Sequence, residues 1–365
     1  MQIVNVDLAD RSYEVTIESG LLGKPHPVFS NCGKSTVLIV SNETVAPLYL
    51  DRLEASLSGA DVHKLILPDG EKYKTAQSWS EIIDKLVEIR ATRDTTLVTL
   101  GGGVIGDLGG FAAASYMRGI KFVQIPTSLL SQVDASVGGK TGFNHPQGKN
   151  LIGAFHQPVA VLVDIETLNT LPEREFSAGL AEVVKIAAVY NEPLLGWLEA
   201  NVASIMAREP EALTSMIKSS ITSKAQVVAA DEREAGVRAL LNFGHSFAHA
   251  IETLTHYRQF LHGEAVSIGM MVAGNLSEIR GLCETGFSER LGNLLQRFDL
   301  PLSIPSNLET DDILETMKLD KKVIAGSTRL ILVRSVGRGI IDSDSDRQQI
   351  AMAIDANRTT NQQGK

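Results

Sequence analysis

Short apolar runs rich in β-branched residues recur through the first half of the chain, at VNVDL, YEVTI, STVLIV, HKLILP, TTLVTL, KFVQIP and VAVLVD. Several are separated by stretches with helical periodicity, such as SWSEIIDKLVEIR. Strand and helix patterns in alternation predict a Rossmann-like α/β domain with a mostly parallel sheet. The pattern changes after LPEREF, residues 171–176. Long amphipathic segments follow, among them AGLAEVVKIAAVY, EALTSMIKSSITSKAQVVAADE and GEAVSIGMMVAGNLSEIRGL, and strand signals stay sparse until TRLILV. We therefore expect two domains, an α/β domain over residues 1–172 and an all-α domain over 173–365. The closing NRTTNQQGK is polar and is expected to fray.

Charge and composition narrow the function classes. A net charge of -9 argues against nucleic acid or an anionic membrane as partner, so a phosphorylated ligand would need local lysines to attract it. No apolar run is long enough to span a bilayer, and the opening MQIVNVDLADRSYEVTIE alternates like a strand instead of reading as a signal peptide, which points to a soluble cytoplasmic protein. The two cysteines, Cys32 and Cys283, build neither a disulfide framework nor a cysteine metal cluster. Any transition-metal site must then use histidine and carboxylate.

Two loops in the first half carry candidate chemistry. In TTLVTLGGGVIGDLGGFAAASYMRG a buried strand runs into a glycine cluster and then a helix, and Gly101, Gly103 and Gly106 match G-x-G-x-x-G. Backbone N–H groups at a helix N-terminus suit a pyrophosphate. The usual acidic residue some 20 positions later is missing, so the match leaves open a turn needed only for strand–helix packing. Upstream, PDGEKYKT offers Glu71, which would accept ribose hydroxyls, and Lys74. Downstream, IPTSLLSQVDASVGGKTGFNHPQGKNLIGAFHQP places Asp134, Lys140, Lys149 and Asn150 among glycines and turn formers, as site-bearing loops do.

The helical half offers a metal constellation. Glu182 lies on the apolar helix AGLAEVVK, where an unpaired carboxylate is costly. His245 and His249 share a helix face in LLNFGHSFAHAIE, and His262 opens the next apolar segment. A carboxylate with two imidazoles and an open position is a catalytic zinc set. Spacing leaves open whether His245 pairs with His249 or with His262. Lys185, Lys224, Arg238 beside Asn242, and the pair Lys321 and Lys322 together suffice to neutralise a phosphate and a carboxylate on one small substrate.

These blocks, in order from about residue 69 to 326, resemble the 3-dehydroquinate synthases of the sugar phosphate cyclase superfamily. The resemblance implies NAD, a divalent metal (zinc or cobalt), and conversion of 3-deoxy-D-arabino-heptulosonate 7-phosphate to 3-dehydroquinate and phosphate in the shikimate pathway, towards chorismate and the aromatic amino acids. It implies an N-terminal α/β nucleotide domain and a C-terminal helical domain that binds metal and substrate. It makes Glu182, His245 and His262 the metal ligands and turns His249 towards the substrate. The NAD contacts it implies are Asp69, Gly70, Glu71, Lys72, Tyr73 and Lys74; Gly103, Val104, Ile105, Gly106 and Asp107; Thr127 and Ser128; Lys140 and Lys149; and Thr167, Leu168, Asn169 and Thr170. The substrate contacts it implies are Asp134, Lys140, Asn150, Lys185, Lys224, Arg238, Asn242, His249 and one of the lysine pair, with Lys322 favoured. Arg118 matches an arginine that reaches the phosphate from a neighbouring subunit, which implies a homodimer. Asn42 stands where aspartate is common in the family, and Ser128 where threonine is.

The implied reaction is a transient oxidation by NAD, elimination of phosphate with the substrate's own phosphate assisting, return of the hydride and an intramolecular aldol closure, with no net redox change. The alternatives are another sugar phosphate cyclase, whose substrate lacks the carboxylate, and a metal-dependent polyol dehydrogenase of related fold. A non-catalytic NAD sensor is a third class, and it leaves an open-sided metal set without a purpose.

Overall fold

The structure is a computed structural model that describes residues 1–30, 35–318, 323–324 and 327–358. The chain divides into two compact units, one of residues 1–172 with 210–233 and one of 173–209 with 234–365. The first unit is built on strands β1 (Gln2–Val6), β2 (Tyr13–Glu18), β3 (Thr36–Asn42), β4 (Asp61–Leu67), β5 (Thr96–Gly101) and β6 (Lys121–Pro126), the hairpin β7 (Lys140–His145) and β8 (Gly148–Phe155), and β9 (Ala160–Asp164). Its helices are the short α1 (Pro27–Ser30), then α2 (Ala46–Ser56), α3 (Ala76–Glu88) and α4 (Gly103–Ser115).

Seven strands form one sheet in the order β1-β2-β9-β6-β5-β3-β4. All neighbours pair in parallel except the edge strand β1, which runs antiparallel to β2. The central strands are apolar on both faces because both faces are covered. In β3, Val37 and Ile39 join Tyr49, Leu50 and Leu53 of α2, whereas Leu38 and Val40 join Ile82 and Leu86 of α3 and Ile105, Leu108 and Ala112 of α4. The chain steps outward from β3 to β4 and then crosses back to β5, β6 and β9. The direction of winding therefore reverses between β3 and β5, and such a reversal opens a crevice at the carboxyl ends of the two strands.

Helix α7 (Pro210–Ala230) packs on β1 and belongs to the first unit. The periodicity had placed it with the helical half. It buries residues such as Met216, Ile217, Ile221 and Val228, and an apolar stripe does not say which surface it covers.

The second unit holds α5 (Glu173–Tyr190), α6 (Glu192–Met206), α8 (His245–Leu254), α9 (His262–Ile279), α10 (Phe287–Arg297), α11 (Thr310–Lys318) and α12 (Arg347–Ala356). Two small hairpins accompany them, β10 (Val323–Ile324) with β11 (Ser327–Thr328) and β12 (Leu330–Ser335) with β13 (Arg338–Asp342), the latter where TRLILV interrupts the helical pattern. Helix α5 is its spine, buried from Phe176 to Val189. Among the described residues no helix is long and apolar enough to cross a membrane.

Candidate active-site residues

In the first unit the glycine turn lies at the end of β5, beside the crevice. Its glycines fall into two classes. A Cβ on Gly109 would come 2.2 Å from Thr99 Cγ2, and one on Gly110 2.4 Å from Thr141 Cγ2, so these two serve close packing of α4. A Cβ on Gly102 or Gly103 meets only ordinary contact, at 3.4 Å from Ser128 Oγ and 3.6 Å from Ala135. Neither residue has a positive φ. Packing and backbone therefore leave glycine unexplained at the N-terminus of α4, where its first N–H groups point outward and an anion would sit. Ser128 stands beside this turn, with its Oγ 2.9 Å from Ser131 Oγ.

Around the turn the expected loops gather. Buried Lys74 donates from Nζ to Asp107 Oδ2 at 2.5 Å and to Asn150 Oδ1 at 2.6 Å. Burial opposes its charge, but Asp107 and Glu71 outweigh that and hold its pKa above the usual lysine range. Glu71 is itself held by Asn144 Nδ2 at 2.8 Å, which ties the 69–74 loop to the β7/β8 hairpin. Asp69 accepts from Asn42 Nδ2 at 2.6 Å and Thr44 Oγ1 at 2.8 Å, so Asn42 acts as an anchor for the loop. A π-turn at Ser131–Ala135 presents Asp134, whose carboxylate and backbone oxygen accept from Lys224 Nζ of α7 at 2.6 and 2.5 Å. Thr167 and Thr170 lie in the turn after β9, where Thr170 Oγ1 is 2.5 Å from the Tyr49 hydroxyl. Lys140 is exposed and Lys149 half-buried, both on the hairpin. Arg118 is exposed, in a left-handed step with Met117 (φ 68° and 48°) after α4.

In the second unit, three glycines bring three helices together. A Cβ on Gly263 would lie 1.8 Å from the Ala178 carbonyl oxygen of α5, and one on Gly269 2.1 Å from the Gly244 oxygen. Gly244, at φ 78°, allows the sharp entry into α8. The close crossings set Glu182 of α5, His245 of α8 and His262 of α9 in one cluster whose ligand atoms all lie within 4.8 Å of one another. The start of α9 is clamped by Glu264, which accepts from Arg174 Nε at 2.6 Å, Arg174 Nη2 at 2.7 Å and the Leu261 N–H at 2.8 Å.

The geometry within the cluster suits ligands around an ion. Both histidines turn Nε2 to Glu182 Oε1, at 3.7 Å for His245 and 3.6 Å for His262. That is too long for hydrogen bonds. Two donors bound tetrahedrally to zinc at ~2.0–2.2 Å stand roughly 3.4 Å apart, so the set fits such a metal. Each Nδ1 has a partner that leaves Nε2 for the metal: the Phe243 carbonyl at 3.3 Å from His245 and Glu252 Oε1 at 3.3 Å from His262. Both Glu182 oxygens are buried, and Lys185, one turn on, makes an ion pair with Oε2. The half-buried ring of His249 lies 5.7 Å from that of His245 and 6.3 Å from that of His262, beside the cluster and outside the ligand set.

Arg238 is buried and shares the turn Val237–Asn242 with Asn242, whose amide donates to Glu234 Oε1. Lys321 and Lys322 lie outside the described residues. Neither Glu234 nor Glu252 stands out in the sequence. Glu234 sits in a polar DEREAG loop with no periodic signal, whereas Glu252 follows His245 by seven residues on one helix face.

Comparison with known proteins decides the family. A 3-dehydroquinate synthase N-terminal model matches residues 64–178 and a C-terminal model residues 179–323. The chain belongs to the 3-dehydroquinate synthase family. It is 49% identical to the 3-dehydroquinate synthase of Azotobacter vinelandii over 360 residues, covering 99% of this chain and 98% of that protein. The match to that of Pseudomonas putida is 51% over 356 residues, with 98% of each covered. As a member of this family the protein is an enzyme. Among solved structures, 2-epi-5-epi-valiolone synthase from Streptomyces hygroscopicus, with NAD+ and Zn2+ bound, aligns at TM-score 0.88 and 28% identity over 98% of this chain and 99% of that one. A 2-deoxy-scyllo-inosose synthase complexed with carbaglucose-6-phosphate, NAD+ and Co2+ shares the fold at TM-score 0.88 and 24% identity, covering 98% of this chain and all of that one.

Proposed function

We propose that the enzyme converts 3-deoxy-D-arabino-heptulosonate 7-phosphate to 3-dehydroquinate and phosphate, with NAD and a divalent metal, in the cytoplasm as part of the shikimate pathway. The observation that carries this reading is the Glu182, His245 and His262 cluster, with both Nε2 atoms facing one buried carboxylate, in a chain half identical to 3-dehydroquinate synthases. These three residues would hold the metal. When bound, the metal acidifies substrate hydroxyls and NAD takes up and returns a hydride.

The chain's own residues would bind and orient. Gly102 and Gly103 leave the N-terminus of α4 open to the cofactor's pyrophosphate, and Asp69, Glu71, Lys72 and Lys74 line its approach from the next loop, with Asp107, Thr127, Ser128, Lys149 and the 167–170 turn completing the cofactor set. Asp134, Lys140, Asn150, Lys185, Lys224, Arg238, Asn242 and His249 would contact the substrate. Arg238 and Asn242 suit the substrate carboxylate, which favours this reading over a cyclase whose sugar phosphate lacks a carboxylate. His249 and Lys185, beside the ligands, would move protons. We further infer a homodimer with Arg118 given across the interface. In its support, Met117, Leu151, Ile152, Phe155 and Val159 are exposed apolar side chains on the segments around Arg118, and Gly119 lies against His156.

The test is phosphate release from the heptulosonate phosphate with substoichiometric NAD, followed at 340 nm in parallel and repeated with a chelator. The reading requires chelator-sensitive phosphate without accumulating NADH. NADH accumulating without phosphate would make the protein a dehydrogenase.

A further inference from the structure

Helix α8 carries one more ionisable side chain on the face of His245 and His249. Glu252 is 2% exposed, and its Oε1 lies 3.3 Å from His262 Nδ1. The other nitrogen of the same ring, Nε2, lies 3.6 Å from Glu182 Oε1. The imidazole is thus spanned by two carboxylates on different helices, one in the ligand cluster and one behind it. A carboxylate only accepts, so the nitrogen facing Glu252 is the one that carries the proton, and Nε2 keeps its lone pair.

His245 meets the same need with a neutral acceptor, the Phe243 carbonyl two residues earlier. For His262 the Nδ1 partner comes from another helix, Glu252 of α8. His262 is the first residue of α9, follows the extended Leu261, and has a side chain one-third exposed, against 10% for His245. Its ring is the member of the cluster most open to solvent. A charged acceptor behind an imidazole also raises its strength as a donor.

We propose that Glu252 is a positioning residue for the metal, holding His262 in the Nδ1-protonated form and setting its donor strength. The inference rests on the reading of Glu182, His245 and His262 as a metal site. Metal-free enzyme is prepared as wild type, Glu252→Gln, Glu252→Leu and Glu182→Gln; zinc affinity is measured by competition with a chromogenic chelator, and the visible spectrum is recorded after loading with cobalt(II). Glu252→Leu is expected to bind zinc 10–100-fold more weakly and to shift the cobalt bands. Glu252→Gln, which keeps an acceptor oxygen and loses the charge, is expected to fall between Leu and wild type. If Leu does not fold, as judged by circular dichroism, the Gln variant decides alone. Wild-type affinity and spectrum in a folded Gln or Leu variant would overturn the role of Glu252. A wild type indistinguishable from Glu182→Gln in both readouts would overturn the metal reading itself, and the proposal with it.

Discussion

Replacing Gly263 by alanine tests how the ligand cluster is assembled. The added Cβ would stand 1.8 Å from the Ala178 oxygen, and Cβ atoms in proteins essentially never come within 3.0 Å of a neighbour, so α5 and α9 must part by about 1.2 Å. That carbonyl lies one helical turn before Glu182, and Gly263 follows His262 directly. The displacement therefore falls between two of the three proposed ligands. Metal–ligand distances tolerate only ~0.2 Å, so the cluster cannot absorb it. Overpacking costs about 1–3 kcal/mol, and the helical preference of alanine returns at most ~1 kcal/mol. The net expectation is a loss of roughly 1–2 kcal/mol in stability with a disproportionate loss of metal affinity. Urea denaturation and zinc titration of the variant read both quantities. A Gly263→Ala protein with wild-type midpoint and zinc affinity would refute the claim that this crossing sets the site.

The two classes of glycine in the turn after β5 predict opposite outcomes. Gly103→Ala should leave stability within about 1 kcal/mol of wild type while weakening NAD binding tenfold or more, whereas Gly110→Ala should lose about 1–3 kcal/mol of stability; unchanged NAD affinity in Gly103→Ala would return that residue to a packing role. His156 gives a pH signature. Burial holds its pKa below the usual 6.5, against the pull of the Ile120 carbonyl. As pH falls below about 6.5 the unfolded chain takes up a proton that the folded ring refuses, so its contribution is intact above that value and is lost below it. Urea midpoints measured from pH 7.5 to 5 should fall less steeply in His156→Gln than in wild type, and parallel slopes would contradict the assignment.

Much of the α/β unit is legible in the sequence because its central strands are covered on both faces. STVLIV and TTLVTL are apolar throughout and bounded by turn formers, which leaves little else for them to be. The allegiance of α7 is not legible, since its buried stripe fits any apolar surface. The loops bearing Lys74, Asp134 and Asn150 announced themselves by lysines and carboxylates among glycines, but their pairings, Lys74 with Asp107 and Asn150, and Lys224 with Asp134, depend on how distant strands stack. The ligand set shows the limit most clearly. Helical spacing leaves open whether His245 pairs with His249 or with His262, and the family pattern points to His262. Gly244, Gly263 and Gly269 let α9 approach closely enough to bring His262 into one cluster with Glu182 and His245. Nothing local to any one helix encodes that approach.

The central claim is that Glu182, His245 and His262 hold a metal while His249 works beside it, and the most direct measurement is the metal content and turnover of His245→Ala and His249→Ala after loading with zinc. The account predicts that His245→Ala loses bound zinc and activity together, and that His249→Ala retains one zinc per chain while turning over slowly. Full zinc and near-normal rate in His245→Ala, or loss of zinc from His249→Ala, would contradict it.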